Sequence, residues 1–339
     1  MELIASPLTL GLKTTFRVAH GASDERHNVF VQIKYRALTG YGEAAAVPYY
    51  GDTQESLIEY LHSLPPLGDD PYALEAMLAA LPPGSHAAQA AVDMALHDLW
   101  GKLLNQPLYR LFGLSPAPLP PTSFTLSLDR PEAMAEAARQ SRYPILKIKL
   151  GPDSPEQALA AIRTATDARL RVDANAGWTP QQALDLIPRL VHYNLEFIEQ
   201  PLPIGDIESY RWLKHELVQR GVKVKIFADE SVKTAADVAQ YAGALDGVVI
   251  KLMKTGGIRE ALRAIHTARA HGMEILLSCM VESSLGVTAA AHLAPLCDYL
   301  DLDGPLLIAN DPFTGLIYNG ANLSLPSAPG LGVTQRTIL

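Results

Sequence analysis

Four short apolar runs, each closing on charged residues, constrain this chain more than any other feature. PIL leads into Lys147-Ile148-Lys149, LRV into Asp173-Ala174-Asn175, LEFI into Glu199-Gln200-Pro201, and VKIFA into Asp229-Glu230-Ser231. A polar break and a helix-like segment follow each cluster, so the pattern reads as consecutive β-strands delivering charge at their carboxyl ends. In a (β/α) barrel those ends meet at one mouth, where the chemistry sits. Asp173, Glu199 and Asp229 gathered there repel one another unless a cation holds them, and hard oxygen donors suit Mg²⁺.

The same alternation extends across the chain from Thr122. Strand-like runs fall near 122–127, 144–149, 169–173, 195–199, 224–228, 246–251, 274–278 and 298–301, with helical stretches such as 131–139, 155–166, 180–190 and 258–270 between them. This predicts an α/β fold: a modified TIM barrel, (β/α)7β, with no helix after the eighth strand because Gly304-Pro305 and a Gly/Pro-rich tail follow directly. A doubly wound sheet is the alternative, but no Gly-x-Gly-x-x-Gly follows an early strand. Upstream, residues 1–46 read as a small antiparallel sheet: 30–35 alternates with period two, and Leu38-Thr39-Gly40-Tyr41-Gly42 reads as a turn into the next strand. Over 54–103 the period becomes helical, through Leu57, Leu61, Ala88, Ala91, Val92, Ala95 and Leu99. The Pro-rich segment 115–121 marks the boundary, giving an N-terminal α+β domain over 1–115, a barrel over 116–305 and a tail, 306–339, that returns to the first domain.

Composition narrows the class. A chain of 339 residues with 48% hydrophobic and 19% charged residues suits two globular domains with a sizeable core. A net charge of −8 offers no footprint for nucleic acid. No apolar run approaches the about 18 residues of a membrane span. The start, MELIASPLTL, has no basic segment ahead of an apolar core. Cys279 and Cys297 make neither a disulfide framework nor a metal motif. A cytoplasmic protein with reduced thiols is expected.

Lys147 and Lys149 stand two apart and point to the same side of their strand. A second ammonium and burial both disfavour the charged form, bringing a lysine from its usual ~10.4 toward use as a base near neutrality. Lys149 is read as the base and Lys147 as its tuner. Lys251 closes the sixth strand, which faces the second across a closed barrel, so Lys149 and Lys251 flank whatever fills the mouth. Bases on opposite faces suit racemisation or epimerisation; without the carboxylates, Lys251 and Lys254 would read as a surface pair. Asn175 is expected to buttress Asp173, and Glu230 to be structural or to support the ligands. Asp301-Leu302-Asp303 puts two carboxylates on one side of the eighth strand, a compact anionic pocket suited to an ammonium group. Ser278 and Met280, after strand seven, and Thr125, in strand one, are placed beside the substrate. Gly256-Gly257 either cradles a phosphate or serves the backbone. No Gly-x-Ser-x-Gly elbow is present.

Together Lys147-x-Lys149, Asp173-x-Asn175, Glu199-x-Pro201, Asp229-Glu230-Ser231 and Lys251 resemble the enolase superfamily, in its muconate-lactonising-enzyme subgroup. Gly42-Glu43-Ala44 resembles that family's capping domain, so the resemblance covers nearly the whole chain. Asp301-x-Asp303, with 278–280 and 282–284, is similar to the signature of dipeptide epimerases. The resemblance implies that Asp301 and Asp303 bind the free α-ammonium of a dipeptide and that Mg²⁺ takes the C-terminal carboxylate. Lys149 and Lys251 would then exchange the α-proton through an enolate. It also implies that a homo-oligomer is possible. The loop 16–23 is similar to that of L-Ala-D/L-Glu epimerases, with Ser23 where those enzymes have an arginine and Arg26 close by. Ala-Glu is therefore not expected; hydrophobic or cationic side chains are. Sister activities with the same lysines and metal are N-succinylamino-acid racemase, o-succinylbenzoate synthase and cycloisomerase. A non-catalytic binding protein on a barrel scaffold is the alternative of another class.

Overall fold

A computed structural model describes residues 1–18, 21–116, 118–151, 153 and 155–336. It opens with a three-stranded antiparallel sheet in the order β1 (Glu2–Val18), β2 (Gly21–Tyr35), β3 (Leu38–Ala44). The segment 38–42 is not the expected turn but most of β3; the turn is Arg36-Ala37, with Arg36 at φ 53°. Its glycines serve packing instead. A Cβ on Gly40 would lie 1.9 Å from the Ala95 carbonyl oxygen, and one on Gly42 1.9 Å from that of Ala91. Both carbonyls belong to α3 (His86–Leu103), whose Ala88, Ala91, Val92, Ala95 and Leu99 pack with Val29, Val31 and Ile33 of β2. The small residues at helical spacing and the strand glycines are two sides of one close approach. Helices α1 (Gln54–Ser63), α2 (Leu74–Ala79) and α4 (Leu108–Leu111) complete this unit.

Eight parallel strands follow, as read from the sequence. They are β4 (Phe124–Leu126), β5 (Ile145–Lys149), β6 (Arg169–Asp173), β7 (Leu195–Glu199), β8 (Lys225–Ala228), β9 (Gly247–Ile250), β10 (Glu274–Ser278) and β11 (Tyr299–Asp301), each hydrogen-bonded to the next. Just ahead of β4, Thr122 bridges Leu300 of β11, and the Ser123 amide donates to the Leu300 carbonyl at 3.0 Å, bringing the edge strands together. Between the strands lie α5 (Pro131–Gln140), α6 (Pro155–Ala165), α7 (Pro180–Leu190), α8 (Ile207–Gln219), α9 (Ala235–Gln240), α10 (Leu252–Thr255), α11 (Ile258–Ala270) and α12 (Ser284–Ala291). After β11 the helix among the described residues is the one-turn α13 (Gly304–Leu307), because Pro305 can start a helix but the Gly/Pro-rich tail cannot prolong it.

Period two sorts the barrel strands into a wall and a filling. Outward residues such as Leu146, Ile148, Val172, Ile198 and Val248 pack in one core with Leu159, Ile162 and Ile265 of the surrounding helices. Inward residues one layer below the mouth, Phe197, Phe227, Val249 and Leu276, form a separate cluster with Tyr299. Phe197 stacks on Phe227 at 4.4 Å, and the buried Arg171 guanidinium lies over Phe197 and Tyr299 at 5.4 and 5.0 Å. This plug closes the barrel beneath the charged strand ends.

The first unit docks on the barrel through carboxylates at helix starts. Asp93 of α3 accepts from the Ile258 amide of α11 at 2.8 Å. Its side chain fills the space beside Gly257, at φ 126°, where a Cβ would lie 2.4 Å from Asp93. Gly256-Gly257 is therefore structural; the place of a phosphate is taken by a carboxylate of the chain itself. The tail touches both units: Leu331 donates to Asp98 at 2.8 Å and Ala309 to the Gly11 carbonyl at 2.8 Å, while Leu316 donates to Thr288 of α12 at 2.8 Å. Both cysteines are free, and no described helix is long and apolar enough to cross a membrane.

Gly42→Ala is expected to destabilise by about 1–3 kcal/mol, as overpacking against a fixed backbone does. Gly68→Ala, where the nearest atom would be an ordinary 3.8 Å away, should stay within about 0.5 kcal/mol. Urea midpoints of the two variants check this; equal midpoints would remove the close-packing account of β3.

Candidate active site

The strand order decides who meets whom. Asp173 and Glu199 end β6 and β7, Asp229 follows β8 directly, and each of the three offers an oxygen within 4.8 Å of the others. Lys149 ends β5 on one flank and donates to Asp173 at 2.6 Å; Lys251, just past β9 on the other flank, donates to Asp229 at 2.6 Å. The two lysines thus stand on opposite sides of the carboxylate trio, and both line one cavity between the barrel mouth and the first unit.

Burial raises the cost of every charge here, and the pairing decides the outcome. Burial works against ionised Asp173, yet Lys149 and Lys147 outweigh it and hold the carboxyl below its usual range. Lys251 and Lys254 do the same for Asp229. Glu199 goes the other way, pushed well up by burial and the Asp173 charge, although Lys147 donates to it at 2.9 Å. Three buried carboxylates so placed are not all held ionised by the lysines alone. Moreover, Glu199 Oε2 and Asp229 Oδ1 are buried with no aligned hydrogen-bond donor, facing only the ammonium groups of Lys147 and Lys254. An all-oxygen set with two buried oxygens left without an aligned donor fits a hard divalent cation such as Mg²⁺.

Lys147 is a cation enclosed by carboxylates. It is buried among Glu199, Asp301 and Asp173, at 2.9, 2.9 and 3.1 Å, and these raise its pKa well above the usual value despite burial. Lys147 and Lys149 meet on the same Asp173 oxygen, at 3.1 and 2.6 Å. Lys251, like Lys147, is raised, Asp229 overcoming burial. Lys254, readable from the sequence as a surface residue, is 2% exposed and donates to the Val249 carbonyl at 3.0 Å while pairing with Asp229. Burial lowers its pKa. Its only sequence signal was its three-residue spacing from Lys251.

Asn175 supports Asp173 through its amide, at 3.0 Å, and uses its side chain on Glu230, at 3.1 Å. Glu230 lines the cavity, its carboxyl pushed up by burial and by the Asp229 charge. Asp301 and Asp303 also line it, but they differ. Asp301 accepts from Lys147, Ser278 and Ser123 at 2.9, 2.9 and 2.7 Å. Asp303 takes the Thr125 amide at 2.6 Å, and burial and the Asp301 charge push it up to about 7. Thr125 and Met280 line the cavity; Ser278 stands behind it, on Asp301.

The first unit supplies the opposite wall. Ser23 does not line it: its hydroxyl turns back to the Glu25 carbonyl at 2.5 Å. Arg26 does, its guanidinium 5.9 Å from the Phe16 ring, with no carboxylate within ion-pair distance among the described residues. Of the loop 16–23, Ala19 and His20 lie outside the described residues. Tyr49 and Tyr50, absent from the sequence reading, complete the wall. They sit on a short turn held to the barrel by Lys233 over the Tyr50 ring at 5.1 Å, a contact no local pattern announces.

Comparison with known proteins accounts for this arrangement. Residues 6–113 match the mandelate racemase/muconate lactonizing enzyme N-terminal domain, and 130–337 the enolase C-terminal domain-like family. An L-Ala-D/L-Glu epimerase of Bacteroides thetaiotaomicron is 39% identical over 99% of this chain and 88% of its own. The substrate-liganded L-Ala-D/L-Glu epimerase of Bacillus subtilis superposes with a TM-score of 0.93 at 31% identity, covering 100% of this chain and 99% of that one. A dipeptide epimerase of Enterococcus faecalis, complexed with Mg and L-Leu-L-Tyr, gives 0.90 at 32% identity, over 98% of each. Two domains, eight strands in one order and near-complete coverage leave one assignment: the chain belongs to the mandelate racemase/muconate lactonizing enzyme family of the enolase superfamily.

Proposed function

We propose that this isomerase epimerises dipeptides, inverting the α-carbon of the C-terminal residue. The observation that carries the reading is one cavity holding two lysines on opposite flanks of a carboxylate trio, with Asp301 and Asp303 at its edge. Asp173, Glu199 and Asp229 would hold Mg²⁺, which when bound supplies a Lewis acid toward the substrate carboxylate. One lysine takes the α-proton from its face, and the other, protonated, returns a proton to the opposite face, so one proton leaves and one arrives. Asp303, with Asp301 beside it, binds the substrate's ammonium and sets which atom lies between the lysines. Arg26 gives a side-chain carboxylate an ionic partner, while Phe16, Val47, Tyr50 and Leu307 offer an apolar wall. An acidic side chain therefore fits as well as an apolar one, against the expectation drawn from Ser23.

The test is a panel of L,L-dipeptides, including L-Ala-L-Glu, incubated with Mg²⁺ in D₂O and read by mass spectrometry. Turnover adds one mass unit per inverted dipeptide. Exchange confined to N-succinyl amino acids would overturn the dipeptide reading, and no exchange at all would leave a binding protein.

Lys149→Ala and Lys251→Ala are each expected to cut epimerisation by about 10²–10⁴-fold, the usual contribution of an acid or base. Each should still exchange deuterium into one epimer, and the two variants into opposite epimers. Epimerisation at the unaltered rate by either variant would sink the two-base scheme.

The raised Asp303 gives a pH dependence of known sign. Below its pKa the acid is neutral and attracts no ammonium, so KM is expected to fall as pH rises from about 6 to about 8, and to rise again above that as the substrate's own ammonium loses its proton. Asp303→Asn should flatten that fall and raise KM more than about tenfold, the loss expected for one partner of a buried charge pair. A profile unchanged by the substitution would assign the ammonium elsewhere.

A further inference from the structure

We infer that Glu43, on β3 of the first unit and outside the cavity lining, is a positioning residue for the Lys251 face of the reaction; the inference rests on the epimerase reading above. Glu43 is fully buried, and its carboxylate is spread over both units. One oxygen accepts from the Asn28 side chain at 2.8 Å and the Ser283 amide at 3.0 Å; the other accepts from the Gly286 amide at 3.1 Å and from the Ser283 hydroxyl. The Ser283 and Gly286 donors are the start of α12, where an acceptor carrying negative charge is favoured. What Glu43 grips is therefore the end of the loop joining β10 to α12.

That loop leads to Lys251 in two steps. Its Cys279, Met280 and Val281 line the cavity. The Met280 amide donates to Glu282 at 2.8 Å, and the Met280 sulfur lies 4.0 Å from the Lys251 ammonium. Glu282 shares the niche of Glu43: a Cβ on Gly286 would lie 2.4 Å from a Glu282 oxygen and 3.2 Å from a Glu43 oxygen. Burial and the Glu43 charge push Glu282 up to about 8. Asn28 ties the same loop to the other wall, donating to the Val281 carbonyl at 3.3 Å and accepting from the Ala46 amide at 3.3 Å. Among the described residues no such hydrogen bond of Glu43 or of the 279–283 loop reaches Lys149, whose carboxylate partner is on β6. Displacing the loop should thus move the surroundings of one base and spare the other.

The experiment measures deuterium exchange from each epimer separately, with Mg²⁺ in D₂O, using the fastest epimer pair of the dipeptide panel, L-Ala-L-Glu and L-Ala-D-Glu being tried first. Each epimer presents its α-proton to one face, so the two rates read the two lysines apart, and the single lysine variants assign them. Glu43→Gln keeps the shape but offers an N–H where an amide or hydroxyl hydrogen must be accepted. Exchange from the Lys251-dependent epimer is expected to fall about tenfold or more, with the Lys149-dependent epimer within about twofold, as for a small misplacement near the reacting atoms. Ser283→Ala, which removes one donor and keeps the amides, should give a smaller loss with the same asymmetry, and it carries the test if Glu43→Gln does not fold. Equal losses from both epimers, or none, would overturn the positioning role while leaving the epimerase reading intact. Failure of the unaltered protein to exchange any dipeptide would overturn that reading, and this inference with it.

Discussion

The rest of the structure depends on holding three carboxylates together out of water. Asp173, Glu199 and Asp229 are each at most 1% exposed, a placement that costs several kcal/mol per charge without compensation. Compensation comes from Lys147, Lys149, Lys251 and Lys254, and in the proposed holoenzyme from a divalent cation. Removing water strengthens every interaction that remains, so geometry that is ruinous in an apolar core becomes useful at a barrel mouth.

That arrangement needs a floor. Strands of period two put every second residue inside, so the positions preceding the charged ends must be filled by side chains that pack and still tolerate charge above them. Phe197, Phe227 and Tyr299 do the packing, and Arg171 stacks on two of these rings while donating to Glu196 at 2.7 Å and to the Leu300 carbonyl at 2.8 Å. Lys147 is the transition between layers. It shares its strand face with Lys149 but reaches only carboxylates, and its raised pKa suits a fixed positive charge in the proposed site. Lys147 and Lys149 each have a carboxylate within 3 Å, and Asp173 lies between them.

What could be read from the sequence was whatever repeats locally. Strand, charge and helix recur with one spacing, so the eight barrel strands, the carboxylate trio and the flanking lysines were all legible. Gly40 and Gly42 were misread because a turn and a close helix approach both select glycine, and only the distance to Ala91 and Ala95 separates them. Lys254 received no role from the sequence because nothing local says that a lysine after a strand turns inward to three carbonyls. Tyr50 and Glu43 act across more than a hundred residues of chain, on Lys233 and Ser283, and no periodicity encodes such a pair. Arg26 over Ser23 is the same lesson at short range: in a long, bulged hairpin, three positions decide whether a side chain faces the cavity.

The two units then divide the work by the stiffness of what carries each group. Groups proposed to act on the proton stand on or beside strand ends, whose positions follow from barrel closure and the plug beneath. Groups proposed to choose the side chain, Arg26, Phe16 and Tyr50, stand on strands and turns of the first unit, where substitution disturbs no barrel hydrogen bond. Such a division works only if the first unit is registered on the barrel to within a fraction of an ångström. Apolar contact alone would not supply that, being non-directional. Directional contacts do: Asp93 caps α11 and Glu43 caps α12, the helices that follow β9 and β10. Each carboxylate must meet particular amides, so docking the cap and fixing the loops beside Lys251 and Ser278 become a single event. A surface that selects the substrate is thereby locked in register to the groups proposed to transform it.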